Sequence, residues 1–237
     1  MKGTMERRAS SRAGADKPIS PCTTISPPRS PLAVSIPDRN LLSRLIDHQV
    51  NDLAAFVSLL LTAGGETTDK VLSNLWHNLL TNPEQLELVR AEPVLLDHAF
   101  AETMRFSPPL VYLGREVVEP IELHGVTIPA GAELRLGVGS ANRDETVFTN
   151  PDRFDLTRTD LHKGLEHRSI SYTDGAGHLS FGAGPHFCLG YALARLEVTV
   201  ASRMLLERFP RLALAEDPPP IRVEGPSQSP GRLLVRV

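Results

Sequence analysis

From Asp52 to about Leu80 apolar residues recur at intervals of three and four, beginning with Leu53, Phe56, Val57, Leu60 and Leu61. That period predicts one long α-helix. Its opening stretch, LAAFVSLLLTAGG, is apolar nearly all round. Such a helix is expected to be central and buried, with neighbours on every side.

The rest of the pattern sets the surroundings. Asn82-Pro83 reads as an N-cap followed by proline at the first helical position, and this helix runs to about Arg90. Pro93 opens another helix through Met104, stopped by Ser107-Pro108-Pro109. Ile121-Glu122-Leu123, His124-Gly125 and Val126-Thr127-Ile128 form a tight hairpin. Pro129-Ala130-Gly131 turns into a strand over 133–138. Residues 140–180 read as mostly irregular, and a last long helix follows Gly190. After Pro210 come Pro-rich loops and a terminal strand over 232–237. Helices, then small sheets, then one helix make the fold class mainly α with small β-sheets (α+β). The elements do not alternate, which excludes a parallel Rossmann sheet.

Charge separates one segment from the rest. Residues 1–40 carry seven Lys/Arg against three acids and six prolines among many serines, whereas the whole chain has a net charge of −3. That segment is expected to be a disordered basic tail, with 41–237 as the ordered domain. The overall charge argues against a nucleic-acid binder. No apolar run reaches the roughly eighteen residues of a membrane span. Two cysteines make no disulfide framework, and Cys22 in the tail takes no role.

Cys188 lies in FGAGPHFCLG, residues 181–190, directly before the last helix. Gly182, Gly184 and Gly190 allow positive φ and close backbone approach. A helix start stabilises a thiolate. Four other readings stand beside a thiolate ligand: a small buried hydrophobe, a zinc ligand with His186, a nucleophile, or a glycine-rich phosphate cradle. The zinc reading lacks further ligands at the usual spacings, and the cradle lacks the GK[ST] ending.

FGAGPHFCLG resembles the haem-binding loop of the cytochrome P450 family. Phe181, Gly182, Gly184, His186, Cys188 and Gly190 fall on that motif's positions. The resemblance implies haem b with Cys188 as the axial iron ligand. Phe181, Gly182, Gly190 and Ala63 then belong to the cofactor-binding set, and Arg115 and His186 reach the haem propionates. Glu102-Thr103-Met104-Arg105 matches the family's ExxR pair, with Arg153 of Pro151-Asp152-Arg153-Phe154 as its third, structural member. AGGETT, residues 63–68, places two glycines and three polar residues inside the apolar helix. Mid-helix glycine costs about 1 kcal/mol relative to alanine. By resemblance those glycines open the helix for dioxygen, Thr67 hydrogen-bonds it and Glu66 relays protons. Leu110, Val111, Tyr112 and Leu113 line the substrate pocket. His162, His167 and His178 are left as loop histidines.

The implied function is a monooxygenase of the soluble bacterial type. It inserts one oxygen atom from O2 into a small organic substrate. Electrons come from a ferredoxin or flavodoxin-type donor, in the cytoplasm and without a membrane. The match covers the C-terminal half only. The alternative is a non-catalytic remnant, or an interaction module that needs a separate N-terminal half.

Overall fold

The computed structural model describes residues 41–47, 51–161 and 177–237. The expected tail, Cys22, His162 and His167 lie outside the described residues. The chain divides into two compact units, Met1–Val57 and Ser58–Val237. In the first, the described residues form helix α1 (Leu41–Asp47) and the opening of α2 (Leu53–Thr81). Asp52 Oδ1 accepts the backbone N–H of Ala55 at 3.2 Å and so caps the start of α2.

The second unit holds the remaining elements. Helices α3 (Pro83–Ala91) and α4 (Leu96–Phe106) follow, joined by a 3₁₀ turn at Pro93–Leu95. Next come β1 (Leu113–Glu116), β2 (Ile121–Leu123), β3 (Val126–Ile128), β4 (Glu133–Leu136) and the short helix α5 (Val138–Ala141). Helix α6 (Tyr191–Arg208) precedes β5 (Ala213–Leu214), β6 (Ile221–Glu224), β7 (Ser227–Pro230) and β8 (Val235–Arg236). The strands form four antiparallel pairs: β1 with β4, β2 with β3, β5 with β8 and β6 with β7. The β2–β3 turn takes positive φ at His124 and Gly125, as a two-residue hairpin loop requires.

One core unites these pieces. Leu75 and Leu79 of α2, Val89 of α3, Leu96, Phe100 and Met104 of α4, and Val198 and Leu206 of α6 are buried together with Phe154, Leu156 and Phe181. Each such aliphatic side chain contributes about 1.5–3 kcal/mol by leaving water.

Four expectations change. Helix α2 is buried only from Val71 onward; no residue between Ser58 and Lys70 is buried. Gly64 and Gly65 do not interrupt it, and the helix is continuous from 53 to 81. Asn82 occupies the N-cap position of α3, but its side chain does not cap. Its Nδ2 instead donates back to the Asn78 carbonyl at 2.8 Å. The Pro-rich stretch after Pro210 contains the β6–β7 hairpin, which turns on Gly225 at φ 60°. Pro230 closes that pair, so the run of prolines hid a strand that alternation did not signal.

Candidate functional site

The site is built on α4. Its inner face carries Glu102 and Arg105, three residues apart and both fully buried. Two charges can sit there because every face of the pair is answered. Arg105 Nε donates to Glu102 Oε2 and Nη2 donates to Oε1, each at 2.8 Å, a bidentate fork. Arg105 also donates to the carbonyls of Asn142, Pro151 and Arg153 at 3.0, 2.7 and 3.1 Å. Glu102 Oε1 accepts the N–H of Asp155 at 3.0 Å. The pair therefore fixes the irregular segment that carries the PDRF sequence.

The third member of the cluster is Arg158. Its Nε lies 2.9 Å from Glu102 Oε2, and its side chain is buried. Burial by itself would lower its pKa; the charges and hydrogen bonds of Glu102 and Asp160 outweigh that and raise it. The Arg153 side chain, expected in this place, is exposed and stands 3.9 Å from Asp155. Arg153 contributes only its carbonyl, which accepts from both Arg105 and Arg158. Lone arginines in loops carry no period, so spacing could not separate 153 from 158.

Asn142 continues the network toward the cysteine loop. It is buried, donates to Ser180 Oγ at 2.8 Å and accepts the N–H of Leu179 at 2.7 Å. Ser180 Oγ donates to the carbonyl of Met104 on α4. His178, expected as a loop histidine, is buried too. Its Nδ1 accepts the N–H of Ser180 at 3.3 Å and its ring lies 5.8 Å from that of Phe181. Burial, and then the positive charge of Arg105, lower its pKa to about 4. The sequence held no sign of either role.

The loop itself turns on Gly182 and Gly184, at φ 71° and 61°. Between them and α6 the chain makes a 3₁₀ turn at Gly184–His186, and the Cys188 N–H donates back to the Phe181 carbonyl at 2.8 Å. Phe181 anchors the loop in the core, 4.9 Å edge-on to Tyr191 and 6.0 Å from Phe100. Cys188 is unbridged and exposed, as are His186 and Leu189. A Cβ on Gly190 would meet Cys188 Sγ at 3.7 Å.

The remaining expected residues fall elsewhere in the fold. Ala63 and Glu66 are exposed on α2, and Glu66 pairs with Lys70. The Thr67 hydroxyl donates to the Ala63 carbonyl at 2.7 Å. Arg115 projects from β1, exposed, and its Nη1 donates to the Gly114 carbonyl at 2.7 Å. Leu110 to Leu113 are half-buried. Val111 donates its N–H to the Pro226 carbonyl at 2.7 Å, and Leu110 bridges to Ser227, so this segment docks on the β6–β7 turn. Asn74 of α2 joins the same junction, donating to the carbonyls of Ser107 and Gln228 at 2.9 and 3.2 Å. A cleft of about 470 Å³ is lined by Val111 and Tyr112 with Arg135, Arg143 and Phe106, and no residue of the cysteine loop reaches it.

Chemically, the loop offers one thiol to solvent on a rigid mount. Among the described residues no three His, Cys, Asp or Glu stand together, so a bare ion has no set of protein ligands there. A single exposed thiolate suits a metal whose other positions are filled by its own macrocycle. Gly190 stands beside the sulfur, where an added Cβ would lie 3.7 Å from Cys188 Sγ. Haem fits these residues.

The comparisons with known proteins give the same answer. The family model described as Cytochrome P450 matches residues 35–234. The chain belongs to the cytochrome P450 family. It is 42% identical over 172 residues to Cytochrome P450 107B1 of Saccharopolyspora erythraea, covering 72% of this chain and 39% of that protein. It is 39% identical over 189 residues to 6-deoxyerythronolide B hydroxylase of the same organism, covering 76% and 43%. Among solved structures, the tirandamycin C-bound P450 monooxygenase TamI matches with a TM-score of 0.71 at 32% identity, covering 84% of this chain and 49% of that one. The chain thus spans about two fifths of the curated relatives it matches. It corresponds to the C-terminal half of the fold. Among the described residues no helix is long and apolar enough to cross a membrane.

Proposed function

We propose that this chain is the cysteine-bearing half of a haem-thiolate monooxygenase. One observation carries the reading: an exposed, unbridged Cys188 on a glycine loop locked to the buried Glu102–Arg105–Arg158 cluster through Met104, Ser180 and Asn142. When bound, haem b supplies the activation of O2 in one-electron steps. The residues of the chain do the rest. Cys188 would hold the iron through its thiolate, and Phe181, Gly182 and Gly190 would keep the sulfur presented. Arg115 and His186, both exposed, pair with the two propionate carboxylates. Thr67 is a rotatable hydroxyl on α2 that donates to the Ala63 carbonyl; turned outward, it would offer its proton to dioxygen. Glu66, released from Lys70, moves protons in from solvent. Ala63, one turn before Thr67, would leave space for the cofactor. Leu110, Val111, Tyr112 and Leu113 bound the substrate, a small organic molecule. Electrons come from a ferredoxin or flavodoxin-type protein in the cytoplasm.

Haem titrated into the full chain tests this. Uptake saturates near one haem per chain, and Arg115→Ala and His186→Ala each weaken it about tenfold, the loss of one charge-assisted pair. Uptake indifferent to both substitutions contradicts the assignment.

A further inference from the structure

The cysteine loop hangs on a turn. The Gly182 N–H donates to the Leu179 carbonyl at 2.9 Å, which closes Leu179-Ser180-Phe181-Gly182, and the Phe181 carbonyl then receives the Cys188 N–H. Ser180, the first corner of that turn, is held from three sides. Its Oγ donates to the Met104 carbonyl of α4 and accepts from Asn142 Nδ2 at 2.8 Å. Its backbone N–H, which the turn leaves unused, donates to His178 Nδ1 at 3.3 Å.

That last bond fixes the tautomer. A neutral imidazole that accepts at Nδ1 carries its proton at Nε2. His178 Nε2 is buried and has no hydrogen-bond partner among the described residues. The residue is 5% exposed, with its ring against Phe181. A phenyl or aliphatic side chain would fill the same place without burying an unanswered N–H. What the imidazole adds, and neither of those can, is one acceptor. Burial, and then the charge of Arg105, disfavour a second proton, so Nδ1 keeps its lone pair. Glu102, the other charge of α4 here, is taken up by Arg105 and Arg158.

We propose that His178 is a positioning residue for Cys188: by accepting the Ser180 N–H it pins the corner of the turn from which the thiol is presented. Without that acceptor the Ser180 N–H turns toward water, the Phe181 carbonyl shifts with it, and the Cys188 N–H loses its bond. The role rests on the haem-thiolate reading for its purpose, but the loop shows it without haem.

The experiment compares the full, haem-free chain with His178→Asn, His178→Phe and His178→Leu. Asparagine carries Oδ1 where histidine carries Nδ1 and so keeps the acceptor; the other two lose it. Amide exchange is followed at Ser180 and Cys188, with Val198, buried on α6, as the reference. In His178→Phe and His178→Leu the two loop amides exchange about tenfold faster relative to Val198, the scale of one lost hydrogen bond. In His178→Asn they exchange as in the parent. Equal loop exchange in all three variants, or a quickening no greater than at Val198, overturns the assignment. Should neither acceptor-less variant fold, His178→Asn decides alone: parent-like exchange at Ser180 upholds the role and faster exchange overturns it. Transfer of bound haem to excess apomyoglobin follows on the same chains, faster in His178→Phe and His178→Leu than in the parent and His178→Asn. A parent that takes up no haem while the exchange pattern holds sinks the haem-thiolate reading and leaves His178 as the anchor of the loop.

Discussion

Arg158 Nε lies 2.9 Å from Oε2 of Glu102, with both side chains buried, while Arg153 faces solvent. Glu102 thus answers two guanidiniums, and losing either leaves buried charge unbalanced. Arg158→Ala is expected to destabilise the chain by about 3 kcal/mol, the scale for breaking a buried ion pair. Arg153→Ala stays within about 0.5 kcal/mol, because only its carbonyl is used. Urea midpoints of the two variants measure the difference. Equal losses would return the third place to Arg153.

The glycines of the cysteine loop are not equivalent. Gly182 sits at φ 71°, and a Cβ there would also press on the His186 carbonyl at 3.4 Å. Gly190 has ordinary φ, and its nearest neighbour is Cys188 Sγ at 3.7 Å. Gly182→Ala therefore costs about 1–2 kcal/mol of backbone strain, and Gly190→Ala less than about 0.5 kcal/mol. Thermal melts separate the two.

His178 gives the fold an acid-side weakness. Its pKa is lowered to about 4 from 6.5, by burial first and by Arg105 second. Between those values the unfolded chain binds a proton that the folded chain refuses. The contribution of neutral His178 is complete above about pH 6.5 and falls as pH drops toward 4, by about 3 kcal/mol in all. The carboxylates of Asp144 and Asp160 are shifted below 3.8, so their contribution is lost only at still lower pH. Urea denaturation at pH 7 and pH 4.5 reads the effect. His178→Gln is expected to lose less stability across that interval than the parent.

Asn74 joins α2 to both Ser107 and Gln228 through one amide. Asn74→Leu leaves two carbonyls without their donor and costs about 2 kcal/mol. Because Gln228 sits at the β6–β7 turn against residues 109–111, amide exchange there should quicken in the same variant. Hydrogen exchange measures it.

What the sequence showed and what it hid follow from the kind of signal each element carries. The α2, α4 and α6 helices repeat apolar residues over many turns, and the cysteine loop concentrates glycines around one thiol; both are local. Glu102 and Arg105 are legible because three residues on a helix share a face. Arg158, Asn142, Ser180 and His178 act across 37 to 76 residues of sequence through turns without a period. Nothing in their neighbours' spacing marks them. The exposed start of α2 is the opposite case. Its apolar surround was legible, but periodicity does not say which turns of a helix are covered, and burial begins only at Val71.

The central claim is that Cys188 binds haem iron through its thiolate. The most direct measurement is the reduced, carbon monoxide-bound spectrum of the haem-loaded full chain beside that of Cys188→Ala. The account predicts the red-shifted Soret band of thiolate ligation in the parent and its absence in the variant. A histidine-type Soret position in the parent, or a thiolate band that survives Cys188→Ala, would contradict it.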